Sequence, residues 1–241
     1  MSVSWLLWLS CAPQASATVF VWTNTTAGSS AIWANGFLWG SAAVDSYPGR
    51  NAIDDAYLTN SATSAYTNIY NANIAIALNS VSVWNDLGEA WLMITNATLT
   101  TAAVIIDNGG RLWIDNRGTL NETAAFTWRG TNGVIYLNTG GQWLTAINSV
   151  IGNGISNVNA TVSTTSGAGL GGTWNLNNQG LTVGNGAARS NRLTITGVTV
   201  TNVGVVLIGV GGSATNSGNA LTLSNGGRFF SGNLTNGIGG S

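Results

Sequence analysis

Along much of the chain, apolar and polar residues alternate with a period of two. Leu193-Thr194-Ile195-Thr196 and Val198-Thr199-Val200-Thr201 put apolar side chains on one face and Thr on the other, the pattern of a half-buried strand. Val104-Ile105-Ile106, Val134-Ile135-Tyr136-Leu137 and Leu221-Thr222-Leu223 read as further strands, each followed by a corner rich in Gly or Asn. Helix templates fail, because Gly, Asn and β-branched residues penalise a helix over any long window. Short strands of this type cannot each bury an apolar face alone, but stacked in parallel coils they can.

Aligning the chain with itself exposes repeats. Asp107-Asn108-Gly109-Gly110-Arg111-Leu112-Trp113 recurs as Asn138-Thr139-Gly140-Gly141-Gln142-Trp143-Leu144 and as Ser224-Asn225-Gly226-Gly227-Arg228-Phe229-Phe230. Each has Gly-Gly, a long polar residue and two large apolar ones. Leu193-Thr194-Ile195 returns as Leu221-Thr222-Leu223, and Gly211-Gly212-Ser213 returns as Gly239-Gly240-Ser241 at the same offset. Internal self-similarity belongs to solenoids, so the expected fold is all-β, a right-handed parallel β-helix. In it Gly and Asn accept positive φ at corners, and Asn side chains form ladders. With about 22 residues per coil, roughly ten coils would make a rod of about 50 Å. A β-sandwich or jelly roll is the alternative that alternating strands and regular turns also describe.

The chain divides unevenly. Residues 1–17 read as a signal peptide: an apolar run from Val3 to Leu9, then the small-x-small pattern Ala15-Ser16-Ala17, without a cation before the run. That run is too short to cross a bilayer as a helix, which needs about 20 apolar residues. Residues 18–153 hold most of the Trp and are expected to form an N-terminal cap and the first coils. The Ser/Thr/Gly-rich stretch 154–172 is expected as a loop or irregular coil, and 173–241 as Gly/Thr/Asn-rich coils that stop mid-unit.

Charge changes the picture by its scarcity. Of 241 residues only 6% are charged, with Lys+Arg 7, Asp+Glu 8 and no His; each cation is Arg. A net charge of −1 provides no field to gather phosphates, which argues against nucleic acid as a partner. Hydrophobic residues make up 44%, with 11 Trp, enough to bury a core despite the bias toward Asn, Thr, Ser and Gly. One Cys, Cys11, excludes a disulfide or zinc framework.

Several segments resemble a known family. Val21-Trp22-Thr23-Asn24, Ala31-Ile32-Trp33, Phe37-Leu38-Trp39-Gly40, Tyr47-Pro48-Gly49 and Asp54-Asp55-Ala56-Tyr57-Leu58 are similar to the opening of exported proteins with autotransporter-associated β-strand repeats. Leu181-Thr182-Val183-Gly184-Asn185-Gly186 and Leu221-Thr222-Leu223-Ser224-Asn225-Gly226-Gly227 are similar to the repeats themselves. The resemblance covers most of 18–241. It implies a bacterial passenger displayed at, or released from, the cell surface for adhesion or display, with translocation or anchoring supplied outside this chain. Surface glycans or other cell-surface proteins are the implied partners.

Catalytic constellations are hard to assemble from this inventory. A Ser triad needs a base, and neither His nor Lys is present. Asp54-Asp55 is the adjacent acidic pair, but neighbours on a strand point to opposite faces. Asp107, Asp115 and Glu122 with Arg111, Arg117 and Arg129 form the densest charged region, and clustered Asp and Arg on a β-helix face is the arrangement of some polysaccharide lyases and hydrolases. Turn chemistry and surface ion pairs account for these residues more simply, so no catalytic residue is assigned. The Gly-Gly-Arg motifs lack the Gly and Asp of calcium-binding β-helix repeats, and no metal or cofactor is expected. Trp113, Trp128 and Trp143 are evenly spaced and are the candidate glycan-stacking rings, core packing being the competing role. Thr194/Thr196 and Thr199/Thr201 are candidates for a flat hydroxyl array facing ice or a crystalline polysaccharide, with an ordinary solvent face of a strand as the competing role.

Overall fold

A computed structural model of the chain describes residues 18–24, 29–40, 46–50, 53–59, 62–72, 74, 76–165, 171–211 and 217–237. The expected leader, 1–17, and Gly212, Ser213 and Gly239-Gly240-Ser241 of the repeat lie outside the described residues. Apart from a 3₁₀ turn at Gly36–Leu38, the regular elements among the described residues are strands. They begin with β1 (Val19–Trp22), β2 (Ser30–Ile32), β3 (Trp39–Gly40), β4 (Asp55–Leu58), β5 (Tyr66–Tyr70), β6 (Leu78–Val83) and β7 (Ala90–Thr95). The middle holds β8 (Thr98–Ile106), β9 (Gly110–Asp115), β10 (Thr119–Trp128), β11 (Gly133–Leu137), β12 (Gln142–Thr145), β13 (Ser149–Asn153) and β14 (Asn159–Ser163). Then come β15 (Thr173–Asn175), β16 (Leu181–Asn185), β17 (Arg192–Thr196), β18 (Thr199–Val210), β19 (Ala220–Ser224) and β20 (Arg228–Asn236).

Strands β2, β5, β7, β9, β11, β14, β17 and β19 form one eight-stranded sheet, parallel throughout and in that spatial order. The others form a second, twelve-stranded sheet, parallel except where β1 meets β3. From β7 onward each strand of the first sheet is followed by one long or two short strands of the second. Thus β10 pairs with β12 through Thr119–Glu122 and with β13 through Thr127–Trp128, and a register shift against β8 bends it between the two. The chain therefore winds as stacked parallel coils, the expected β-helix rather than the sandwich.

Coil length varies more than the repeats imply. Ala90 pairs with Gly110, a short step along the chain, whereas Asn159 pairs with Arg192 and Ile32 with Ile69, both much longer steps. The eight-stranded sheet makes seven steps, a rise of roughly 34 Å at about 4.8 Å per step, below the expected 50 Å or so. Extra residues enlarge corner loops without adding rungs. The stretch 154–172, expected as loop or irregular coil, contains β14, which pairs with β11 on one side and β17 on the other. The sheet runs through it because Ala160 and Val162 face inward, leaving the polar Thr161 and Ser163 outside.

Corners carry the Gly-Gly motif. Asp107–Gly110, Asn138–Gly141 and Ser224–Gly227 each close with a bond from the second Gly N–H to the carbonyl three residues earlier, at 2.8, 2.9 and 2.9 Å. The first Gly of each pair has a φ of 69°, 78° and 78°. A Cβ on the second would run into a carbonyl oxygen of the preceding coil, that of Val83, Ile114 or Ile195. The motif thus joins a site that needs a left-handed backbone to one that has no room for a side chain. Asn side chains tie coil to coil, as the ladders predict. Asn191, fully buried, accepts from Val158 N at 2.9 Å and donates to Asn219 Oδ1 at 3.0 Å. Asn185 donates to Asn153 at 2.9 Å, and Asn202 to Asn175 at 3.1 Å.

Inside, side chains stack in columns at the strand spacing. One runs Leu92, Leu112, Ile135, Val162, Ile195; another runs Leu99, Leu120, Trp143, Trp174, Val200. The rings of Trp143 and Trp174 lie 4.1 Å apart and 5° from parallel. At the N-terminal end Trp22, Trp33, Trp39 and Tyr70 meet edge to face, and the two-residue β3 pairs antiparallel with β1, covering an edge that would otherwise be open.

Candidate functional site

The eight-stranded sheet has one buried face and one facing water. On strands β5, β7, β9 and β11, burial alternates strictly, so every second residue points out. In register, the outward residues form two columns. The first is Thr67, Trp91, Arg111, Val134, Thr161, Thr194, Thr222; the second is Ile69, Met93, Trp113, Tyr136, Ser163, Thr196, Ser224. The face therefore has an apolar, aromatic half toward the N-terminus and a hydroxyl half toward the C-terminus.

In the aromatic half, Trp91 and Tyr136 lie 3° from parallel with centroids 5.7 Å apart. Trp113 packs against both, at 5.8 and 6.1 Å, tilted by 54° and 56°. Carboxylates hold the indoles in place: Trp91 Nε1 donates to Glu89 at 3.0 Å, and Trp113 Nε1 to Asp115 at 2.7 Å. Arg111 forms an ion pair with Glu89 at 3.1 Å and donates to the Gly110 and Asn132 carbonyls. Its charge is thereby largely neutralised. Beside this patch a groove of about 390 Å³ is lined by Asn85, Glu89, Asn108, Arg111, Thr131 and Asn132 among others. Asn85 shapes its floor, accepting from Leu87 N and Gly88 N at 3.1 and 3.2 Å.

Of the three predicted rings, Trp113 is outward and half-buried, but Trp128 and Trp143 are 1% and 0% exposed and belong to the core. Their even spacing fails to make a row because it is shorter than any coil. Trp113 falls on the eight-stranded sheet, whereas Trp128 and Trp143 fall on inward positions of β10 and β12 in the other sheet. Trp91 and Tyr136 are the true companions of Trp113. The signal that would have found them is the distance from Met93 to Trp113 and from Trp113 to Tyr136, one coil each. Thr194 and Thr196 stand in the hydroxyl columns, and Thr196 Oγ1 lies 2.8 Å from Ser224 Oγ. Thr199 and Thr201 are on β18 in the other sheet, beside Thr173 and Asn175, so the two pairs do not share a face.

The charged region does not gather into a groove. Asp107 binds its neighbour's backbone, Asn108 N, at 2.8 Å, and Asp115 holds Trp113. Arg117 and Arg129 are exposed, Arg117 with a φ of 65° in the turn after β9. Glu122 lies inside, fully buried, in a column with Thr101 and Thr145. Neither carboxyl oxygen has a hydrogen-bond partner; burial pushes its pKa up to about 8, and the nearby Trp143 N–H pulls the other way. Asp54, just before β4, and Asp55, its first residue, bind different partners. Asp54 is buried and accepts from Thr18 N and Gly49 N, while Asp55 accepts from Asn79 and Ser80. Among the described residues no three His, Cys, Asp or Glu are placed to hold a metal, and no helix is long and apolar enough to cross a membrane. Comparison with protein-family models, curated proteins and solved structures gave no match to this chain.

Proposed function

We propose that this chain is a non-enzymatic passenger segment, exported by a bacterium and presented at or beyond the cell surface, where its coils form a stalk with an adhesive face. The observation that carries the reading is the outward face of the eight-stranded sheet, two continuous columns that pass from a mainly apolar and aromatic half to a half of hydroxyl side chains. Thr is stiff at χ1 and aromatic rings have few rotamers, so ordering such a face against another surface costs little entropy. Many weak contacts repeated at the strand spacing then add as linked sites do. Surface glycans or cell-surface proteins are the partners this face suits, and translocation or anchoring falls to an element outside the chain.

Beads coated with residues 18–241 test this. They are expected to be retained on insoluble polysaccharide particles or on bacterial cells, and the Thr194→Glu/Thr196→Glu variant, which charges the hydroxyl columns, is expected to lose that retention. Equal retention of the two, or none by either, would refute the reading.

A further inference from the structure

The aromatic half of the face differs from the hydroxyl half, and its chemistry is specific enough to name a ligand class. We infer that Trp91, Trp113 and Tyr136 form a stacking subsite for a neutral, β-linked hexopyranose chain whose ring substituents are equatorial. The assignment rests on the adhesive reading above and sharpens it.

A pyranose of that configuration presents flat C–H faces and a rim of hydroxyls, so it needs rings beneath and hydrogen-bonding groups at the edge. Trp91 and Tyr136 stack on one another within 3° of parallel, Trp113, between them in the register, packs tilted against both, and all three rings stay partly open to water, where a sugar face can meet them. Hydrogen bonds to Glu89 and Asp115 fix both indoles before any ligand arrives, which removes the cost of immobilising them. Asp115 accepts from Trp113 through Oδ2, and its carboxylate has further lone pairs with which to accept from a sugar hydroxyl. The adjoining groove, whose floor is shaped by the buried Asn85, is edged by Asn108, Thr131 and Asn132, groups that exchange hydrogen bonds with hydroxyls.

Charge selects against other polymers. Arg111, the one cation among the described residues lining the groove, is paired with Glu89, and Asp86 adds a negative charge to the lining, so uronate or sulfated chains meet like charge there. Each coil repeats the platform's spacing along the stack, so the glycan would lie along the solenoid axis, across β7, β9 and β11.

Isothermal titration of residues 18–241 with cellohexaose and chitohexaose tests the assignment, with a polygalacturonate oligomer as the anionic control. At least one neutral hexasaccharide is expected to bind, with affinity changing less than about twofold between about 0.05 and 0.5 M NaCl, as for an uncharged ligand. Trp91→Ala and Trp113→Ala are each expected to weaken it about tenfold, equivalent to about 1.4 kcal/mol. Val134→Glu, which leaves every ring in place and adds a larger, charged outward side chain beside Tyr136 on β11, is expected to weaken it too and guards against a folding defect in the Trp variants. No binding of either neutral probe, binding untouched by all three variants, or preference for the polygalacturonate oligomer overturns the subsite. If the coated beads still adhere while the hexasaccharides do not bind, the ligand class is wrong and the adhesive reading stands; if both fail, the adhesive reading falls with it.

Discussion

Replacing Glu122 with Gln is expected to flatten the dependence of stability on pH across the neutral range. Glu122 lies on β10 with its carboxyl fully buried and unpartnered, between Thr101 and Thr145 of the neighbouring coils. Burial raises its pKa from 4.5 to about 8, against a small opposing pull from Trp143. As pH rises from about 5, the unfolded chain releases this proton first while the folded chain keeps it, so the unfolded state binds fewer protons and stability falls. The contribution is complete below the unfolded value and is lost as pH climbs toward the folded one. Each pH unit costs about 1.4 kcal/mol, so stability drops by about 2.7 kcal/mol between about pH 5.5 and 7.5. The chain has no His to titrate in that window. Urea unfolding followed by Trp fluorescence at several pH values, for the wild type and Glu122→Gln, measures the slope. The absolute stability of the variant is not the readout, since a buried amide carries its own desolvation cost. A flat wild-type profile, or a slope that survives in Glu122→Gln, would show that the carboxyl is hydrated or paired in solution.

Three further outcomes follow from the packing. Gly141→Ala puts a Cβ against the Ile114 carbonyl and should cost more than about 3 kcal/mol, whereas Gly154→Ala, with positive φ but open space, should cost about 1 kcal/mol; thermal melts compare the two. Trp143→Ala and Trp174→Ala should each cost about 3–5 kcal/mol, and the double variant less than their sum because the rings stack on each other; a double-mutant cycle by urea unfolding reads the difference. Asn68 sits in the inward column below Leu92, fully buried with both amide atoms unpartnered, so Asn68→Leu should stabilise by about 1–3 kcal/mol, seen as a higher midpoint in the same assay.

Much of the architecture is legible in the residues. The offset between Leu193-Thr194-Ile195 and Leu221-Thr222-Leu223 is a true register, since β17 and β19 pair residue for residue at that distance. The Gly-Gly motif marks a corner wherever it occurs, but not the same corner. Asp107–Gly110 leads from the twelve-stranded sheet into the eight-stranded one, whereas Asn138–Gly141 and Ser224–Gly227 lead the other way. The motif encodes a backbone conformation plus a close approach of the preceding coil, and both demands arise wherever the chain turns tightly. Distances between motif copies therefore do not measure coils.

Glu122 and the Trp trio mark where local pattern stops being enough. Alternation alone places Glu122 inside: Leu120 points inward on β10, and the residue two further along shares its face. Grouping it with nearby charges ignores that parity. For the rings, parity is insufficient, because it says which side chains leave the core and not which meet. Trp91, Trp113 and Tyr136 become neighbours only when coils of unequal length are laid over one another, and those lengths are set by how much chain each corner consumes. The outward site is thus set by strand register, and corners of unequal length hide that register from the linear spacing of the residues. Lengthening the corner between β9 and β10 by two residues would leave every strand pattern intact and is expected to keep Trp113 packed at its tilt against Tyr136, the insertion being absorbed outside the rung, whereas moving Trp113 by one position would send it into the core.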